Sequence, residues 1–337
     1  MNSESLGILV DRVRKDVREN LETTSGKAIA VGFLVAFVVP FFAGGYSLDV
    51  ATQALIFILV VTSWNFIAGY FGILTFAHAA LFGVGGYAAA ILAAELGIPV
   101  ILAIFLAGII TAAFSLPMAV SLLHLHGAYV AMLTIAYAEI IFFVSVMWRD
   151  VTGGPTGYTG FPALFGGDRV LLYYFVLIVV ALLVAVQYLF TINRFGLVAR
   201  AIRESEDAAQ MLGNNTRRYK LLGFVFGSTL AGIAGALQAY NIRIISPPVL
   251  ELERMIEFMA MGIVGGIRSL SGGILGTIVV YGLMEVLRPI GGARLLVWGI
   301  LLIVAILYFP NGLIGSKDQL GSIQDRVINA LRERLGR

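Results

Sequence analysis

NRFGLVARAIRESEDAAQMLGNNTRRYK, residues 193–220, is a charged island between long uncharged runs. It carries Arg194, Arg200, Arg203, Arg217, Arg218 and Lys220 beside Glu204, Glu206 and Asp207. Its flanks decide how it is read. Over 337 residues the chain is 59% hydrophobic and 13% charged, with a mean hydropathy of +0.92. A soluble domain carries about 25% charged residues, so this composition does not cover a soluble surface. The chain reads as an all-α polytopic membrane protein, with the island as a loop offered to one side.

A helix needs about 20 mostly apolar residues to cross the hydrocarbon core. Runs of that kind lie at 28–47, 50–69, 73–94, 98–122, 127–148, 170–191, 221–240, 253–268, 270–288 and 294–312, which predicts about ten transmembrane helices. The positive-inside rule tests the count. Arg12, Arg14, Lys15, Arg18 and Lys27 precede the first span, and Lys317, Arg326, Arg332, Arg334 and Arg337 follow the last. With the island they hold most of the chain's 23 lysines and arginines. Six spans separate the first cluster from the island and four separate the island from the last, so all three fall on one side. That places both termini and the island in the cytoplasm of a multi-pass cell (plasma or inner) membrane protein. Segment 253–268 is the weakest span. Its clean run, Phe258 to Ile267, is short, and Glu251, Glu253, Arg254 and Glu257 crowd its outer end. It reads as a half-helix or a full crossing, and parity favours the crossing.

Residues 1–27 form a cytoplasmic tail rather than a signal peptide, 28–312 the transmembrane domain, and 313–337 a second cytoplasmic tail. Leu6, Leu9, Val13, Val17 and Leu21 share one helical face, as do Leu320, Ile323, Val327, Leu331 and Leu335. Each tail is predicted to be an amphipathic helix at the membrane surface or packed in solution.

Two glycine-rich junctions interrupt the apolar sequence: GYFGILTFAHAALFGVGGY at 69–87 and GIVGGIRSLSGGILGTIVVYG at 262–282. Paired interruptions in the two halves point to inverted-repeat-like halves with a pathway between them, since freed backbone groups at membrane depth must line a cavity or be buried in protein. Gly223, Gly227, Ala231 and Gly235 form a small-residue stripe, best read as close helix packing. Glu139 stands in mid-span with Thr134 on nearly the same side, an intramembrane carboxylate that is either functional or a structural hydrogen-bonder. His78 follows the first break and Asn65 precedes it. These residues, with Thr75 and Ser269, are the candidate pathway set.

WRDVTGGPTGYTGFP, residues 148–162, opens the longest predicted outer loop. Thr152, Gly153, Gly154 and Gly157 within it are either turn chemistry or contacts for an external partner. No cysteine is present, which excludes disulfides and thiolate metal sites. His124 and His126 in LHLHG lack further ligands for a metal. No P-loop, HExxH or GxSxG occurs, so no catalytic residues, metal site or bound cofactor are predicted.

Within the island, Val198 to Leu212 holds good helix formers, and Asp207, Ala208 and Ala209 followed by Gly213 give the spacing D-A-A-x-x-x-G. The alanines permit close approach and Gly213 suits a left-handed helix end. Arg200, Arg203, Glu204 and Glu206 surround them. This spacing resembles the E-A-A-x-x-x-G cytoplasmic loop of ABC importer permeases, with Asp for Glu. The surrounding RAIRESEDAAQMLGNNTRRYKLLGFVFGSTLAGIAGAL is similar to the branched-chain amino-acid permease family of the LivM type. The likeness extends through both glycine-rich junctions, HGAYVAMLTIAYAEI, TGGPTGYTGFP and YFPNGLIG, over roughly Ala51 to Gly315. The LHLHG turn departs from the family's usual LRLRG.

The resemblance implies a transport subunit that hydrolyses nothing itself. It implies a second homologous permease, two cytoplasmic ABC ATPase subunits, an extracytoplasmic solute-binding protein and a lipid bilayer as partners, and no nucleic acid. The island would dock on an ATPase, whose closure would drive alternating access. The cargo implied is a branched-chain or other hydrophobic amino acid, with urea, short amides or another small solute as alternatives. A proton-coupled secondary transporter using Glu139 and His78 is the rival class; the sparse polar residues make no credible intramembrane enzyme.

Overall fold

The computed structural model describes residues 24–290, Gly299, Ile303 and residues 312–315. Both predicted amphipathic tails, apart from their membrane-proximal ends, and nearly all of the predicted span 294–312 lie outside the described residues.

The apolar runs fold as helices, some of which continue through glycine and proline. They are α1 (Thr24–Phe42), α2 (Gly45–Asn65), α3 (His78–Ala94), α4 (Val100–Leu122), α5 (Ala128–Met147), α6 (Arg169–Ile192), α7 (Arg194–Glu204), α8 (Glu206–Met211), α9 (Thr216–Ile242), α10 (Leu252–Gly265) and α11 (Leu270–Val286). A π-helical turn, Phe66–Tyr70, extends α2. Five of these elements are long and apolar enough to cross a membrane: α2 with its π-turn, α4, α5, α6 and α9. The chain is an all-α polytopic membrane protein, and among the described residues a single Tyr158–Ile245 bridge is the only strand-like pairing.

Burial separates centre from periphery. The apolar windows of α2 and α9 are 78% and 72% buried, against 22% for α5. A central helix touches protein all round, whereas α4, α5 and α6 leave Ile109, Ile140, Phe143, Ile178 and Leu182 exposed, as lipid-facing helices do. The α9 stripe works as small-residue packing predicts. A Cβ placed on Gly235 would lie 1.7 Å from the Phe82 carbonyl oxygen of α3, and one on Gly223 would strike the Phe71 ring.

Segments 253–268 and 270–288, read from the sequence as two spans, form one bent unit. α10 has 14 residues and α11 has 17, about 21 Å and 26 Å long, against a core of about 30 Å. The chain bends by 116° between them, so it folds back at Gly266–Ser269. The arms lie so close that a Cβ on Gly276 would be 2.0 Å from the Met261 carbonyl oxygen. Both open ends return to one cavity, which Arg254 and Glu257 of α10 line together with Glu285 and Arg288.

Candidate functional site

The island folds as two helices where the sequence suggested one. Ser205 takes an extended conformation between α7 and α8, and its hydroxyl accepts from the Ala208 N–H at 3.3 Å. Serine at an N-cap satisfies a donor that the helix leaves free, and this restarts the helix in a new direction. α8 ends in a Schellman motif: the Gly213 N–H donates to the Gln210 carbonyl at 2.8 Å and the Asn214 N–H to the Ala209 carbonyl at 3.2 Å. Gly213 sits at φ +79° with open space where a side chain would be. Its identity therefore answers to backbone conformation rather than to packing within this chain.

Ala209 faces inward. Asp207 and Ala208 face outward, and Met211 and Leu212 are 88% and 78% exposed. The tip is thus an apolar knob with an acidic edge, where a solvated loop would be polar. Arg200 is exposed and donates from Nε to the Gly196 carbonyl at 3.2 Å within its own helix. Glu206 turns back to the bundle, pairing with Lys220 at the start of α9, and His126 Nε2 of the α4–α5 turn lies 3.4 Å away. Burial works to raise the Glu206 carboxyl, but Lys220, Thr216 and His126 together hold it below the usual carboxylate range.

Arg203 also turns inward. Its side chain is 19% exposed. One nitrogen donates to the Gly69 carbonyl in the π-turn at 2.5 Å, and another reaches Glu204 at 2.6 Å. The Arg203 hydrogen bond and charge hold the Glu204 carboxyl low, and Arg268 of the hairpin tip contributes further. Gly69 packs directly on the hairpin, since a Cβ there would lie 1.8 Å from the Ile267 carbonyl oxygen. Asn65 Nδ2 reaches the Ser269 carbonyl at 3.4 Å. The two interruptions paired in the sequence touch one another in space, and Arg203 ties the charged island to their meeting point.

The first break is held by side chains. Trp64 Nε1 donates to the Thr75 carbonyl at 2.9 Å, the Phe76 N–H donates to Thr134 Oγ1 at 3.1 Å, and the Ala77 N–H donates to Thr75 Oγ1 at 3.2 Å. Freed backbone groups at membrane depth need such partners. Ser269 does the same at the second break, accepting from the Gly272 N–H at 2.8 Å as the N-cap of α11. Asn65, Thr75, Thr134 and Ser269 are therefore gathered around the two breaks. His78 begins α3 and is fully buried, and neither ring nitrogen has a hydrogen-bond partner among the described residues. Glu139 is half-buried on α5, with no hydrogen bond between it and His78.

On the side opposite the island lies a cavity of about 830 Å³. None of the predicted pathway residues lines it. Its wall contains four arginines, Arg169, Arg243, Arg254 and Arg288, and three acids, Asp49, Glu257 and Glu285. An amide chain runs across it: Asn241 Nδ2 donates to Gln53 Oε1 at 3.1 Å, and Gln53 Nε2 donates to Gln238 Oε1 at 2.6 Å. This links α2 to α9, the two central helices. Phe57, with Tyr281 and Phe258 edge-on at 5.2 and 5.4 Å, supplies aromatic surface. The signal for this vestibule was in the sequence as Gln53 and Gln238 inside apolar runs, but the partners come from distant segments.

The loop at residues 148–162 is tightly built. Thr152 Oγ1 donates to the Ser145 carbonyl at 2.6 Å and accepts from the Gly154 N–H at 3.2 Å. Gly153 and Gly157 both have positive φ, and a Cβ on Gly157 would lie 2.5 Å from the Ile245 carbonyl oxygen. Tyr158 donates to Glu95 at 2.7 Å. Burial, then the Glu95 carboxylate beside it, push its phenol up to about 12.

The family model for the permease component of branched-chain amino acid transport systems matches residues 46–308. The chain belongs to that family. This permease is 29% identical to the high-affinity branched-chain amino acid transport system permease protein LivM of Escherichia coli K12, over 87% of this chain and 76% of that protein. It is 28% identical to LivM of Salmonella typhimurium over the same shares. A probable LivH permease of Methanocaldococcus jannaschii is 30% identical over 44% of this permease and 50% of its own length. No solved structure matches this permease.

Proposed function

We propose that this permease is the transmembrane subunit of an ATP-driven ABC importer that takes up branched-chain or other hydrophobic amino acids by alternating access. It works with a second homologous permease, two cytoplasmic ABC ATPase subunits and an extracytoplasmic solute-binding protein. The island and both termini face the cytoplasm of the cell membrane, and ATP is hydrolysed on the ATPases. The observation that carries this reading is the island: an exposed apolar tip at Ala208, Met211 and Leu212, joined through Arg203 to the contact between the two interrupted segments. An ATPase that grips the tip pulls α7, and α7 pulls on Gly69 and the hairpin behind it. The relatives are branched-chain amino acid transport permeases, which supports the cargo.

The docking part is tested by Gly213→Val, which strains the left-handed cap, and Asp207→Lys, which inverts charge at the edge of the tip. In the assembled complex both variants are expected to lose ATPase association and ATP-driven uptake. Normal values for both would refute docking through this loop. The amide chain Asn241–Gln53–Gln238 supports a second cargo reading, since ladders of amides also suit urea or a short amide. Competition of radiolabelled leucine uptake by urea and acetamide separates the two.

A further inference from the structure

Three ion pairs line the vestibule, and they differ in setting. The Arg169–Asp49 pair is 3.0 Å long with side chains 60% and 47% exposed, and Arg288 of the Glu285 pair is 58% exposed. The Arg254–Glu257 pair, one helical turn apart on α10, is more enclosed at 35% and 14%. The Arg254 guanidinium also lies 5.9 Å from the centre of the Phe57 ring. A salt bridge next to aromatic surface inside a cavity sacrifices much of its hydration. It is therefore best stabilised by a guest that replaces each partner with a like charge.

We propose that Arg254 and Glu257 bind the zwitterionic head group of an α-amino acid. Its carboxylate sits on Arg254, its ammonium on Glu257, and its aliphatic side chain lies over Phe57 and Met284. Insertion exchanges one ion pair for two and leaves no net charge uncompensated, which is the condition for holding charge in a partly desolvated site. The permease then reads both charges of its cargo itself. This deepens the amino-acid importer reading and rests on it.

The test uses the assembled importer in lipid nanodiscs without ATP or binding protein, and titrates it with leucine, leucinamide and 4-methylpentanoate. The amide lacks the carboxylate and the acid lacks the ammonium. Leucine is expected to bind roughly 10- to 100-fold more tightly than either, from the loss of one charge-assisted interaction. Arg254→Gln and Glu257→Gln are each expected to weaken leucine by a similar factor. In these variants the monodisperse elution profile and ATPase association stay as in the parent. Equal affinity for leucine and leucinamide, unchanged leucine affinity in either variant, or no leucine binding to the parent would overturn the assignment. ATP-driven uptake in the complete system separates the two levels. Parent uptake of leucine with an unaltered KM in both variants rejects this site alone, whereas no leucine uptake by the parent rejects the cargo reading itself.

Discussion

Among the described residues two charged regions stand out, and they are built in opposite ways. The island on one side takes its charges from one continuous stretch, residues 194–220. The vestibule on the other side gathers its charges from α2, the start of α6, the end of α9, α10 and the end of α11. Contiguous charge has geometry that spacing along a helix dictates. Assembled charge has none until the helices pack. Yet the contiguous region divides in the structure: Asp207, Ala208, Met211 and Leu212 face outward while Arg203 and Glu206 turn into the bundle. Contiguity predicts where charge is, and tertiary contact decides what it holds.

Arg203 tests that distinction with the largest expected effect. It belongs to the island by sequence, but its hydrogen bond to Gly69 makes it part of the transmembrane domain. Arg203→Met is expected to leave ATPase association intact and to lower ATP-driven uptake by about tenfold or more. The lost charge-assisted hydrogen bond costs about 1.5–3 kcal/mol. Arg203→Lys keeps the charge and loses the fork that serves Gly69 and Glu204 together, so its uptake is expected to fall between parent and Met variant. Measuring ATPase turnover per solute transported is the check. Loss of ATPase association in both variants would return Arg203 to the docking surface and restore the simple contrast between the regions.

That result bears on how much was legible beforehand. The helical class followed from apolar runs, and the D-A-A-x-x-x-G spacing located the left-handed helix end at Gly213, because a cap depends on neighbours in sequence. The two interruptions were also visible, since glycine and threonine break an apolar pattern locally. Their contact through Gly69, Ile267, Asn65 and Ser269 was not visible, because it joins residues some 200 positions apart. The hairpin of α10 and α11 was obscured for a related reason: an apolar helix looks the same to composition whether it crosses or turns back. The vestibule is not legible in the sequence because Glu139 and His78, the polar residues that stand out within the apolar runs, do not line it. The amides Gln53, Gln238 and Asn241 matter only as a hydrogen-bonded set.

A smaller effect is expected where the island folds back on α9. The Glu206–Lys220 pair joins α8 to the bundle at side-chain exposures of 20% and 10%. Lys220→Met removes one partner and leaves a partly buried carboxylate, at a cost of about 1–3 kcal/mol. The Glu206 carboxyl titrates below its ordinary range in the folded protein. Its contribution is therefore complete above the unfolded carboxylate pKa and is lost as pH falls through the lower folded value. Thermal unfolding of the parent followed from pH 7 downward is expected to show this acid loss, and Lys220→Met to show a shallower one. Identical pH profiles would mean the pair does not hold the island in place.

The smallest effect belongs to the vestibule rim. Arg169 and Asp49 meet at 3.0 Å, and both side chains are about half exposed or more. Water already solvates each charge, so breaking the pair leaves neither stranded, and exposed pairs contribute about 0–1 kcal/mol. Asp49→Asn is expected to shift stability by about 0.5 kcal/mol or less and to leave leucine affinity unchanged. Glu257→Gln removes a carboxylate of the same charge lining the same cavity, yet it is expected to weaken leucine. Chemical denaturation and leucine titration on the two variants side by side compare exposure directly, because the removed charge is the same. If Asp49→Asn weakened leucine as much as Glu257→Gln, the summed charge of the vestibule would select the cargo and the position of each pair would not matter.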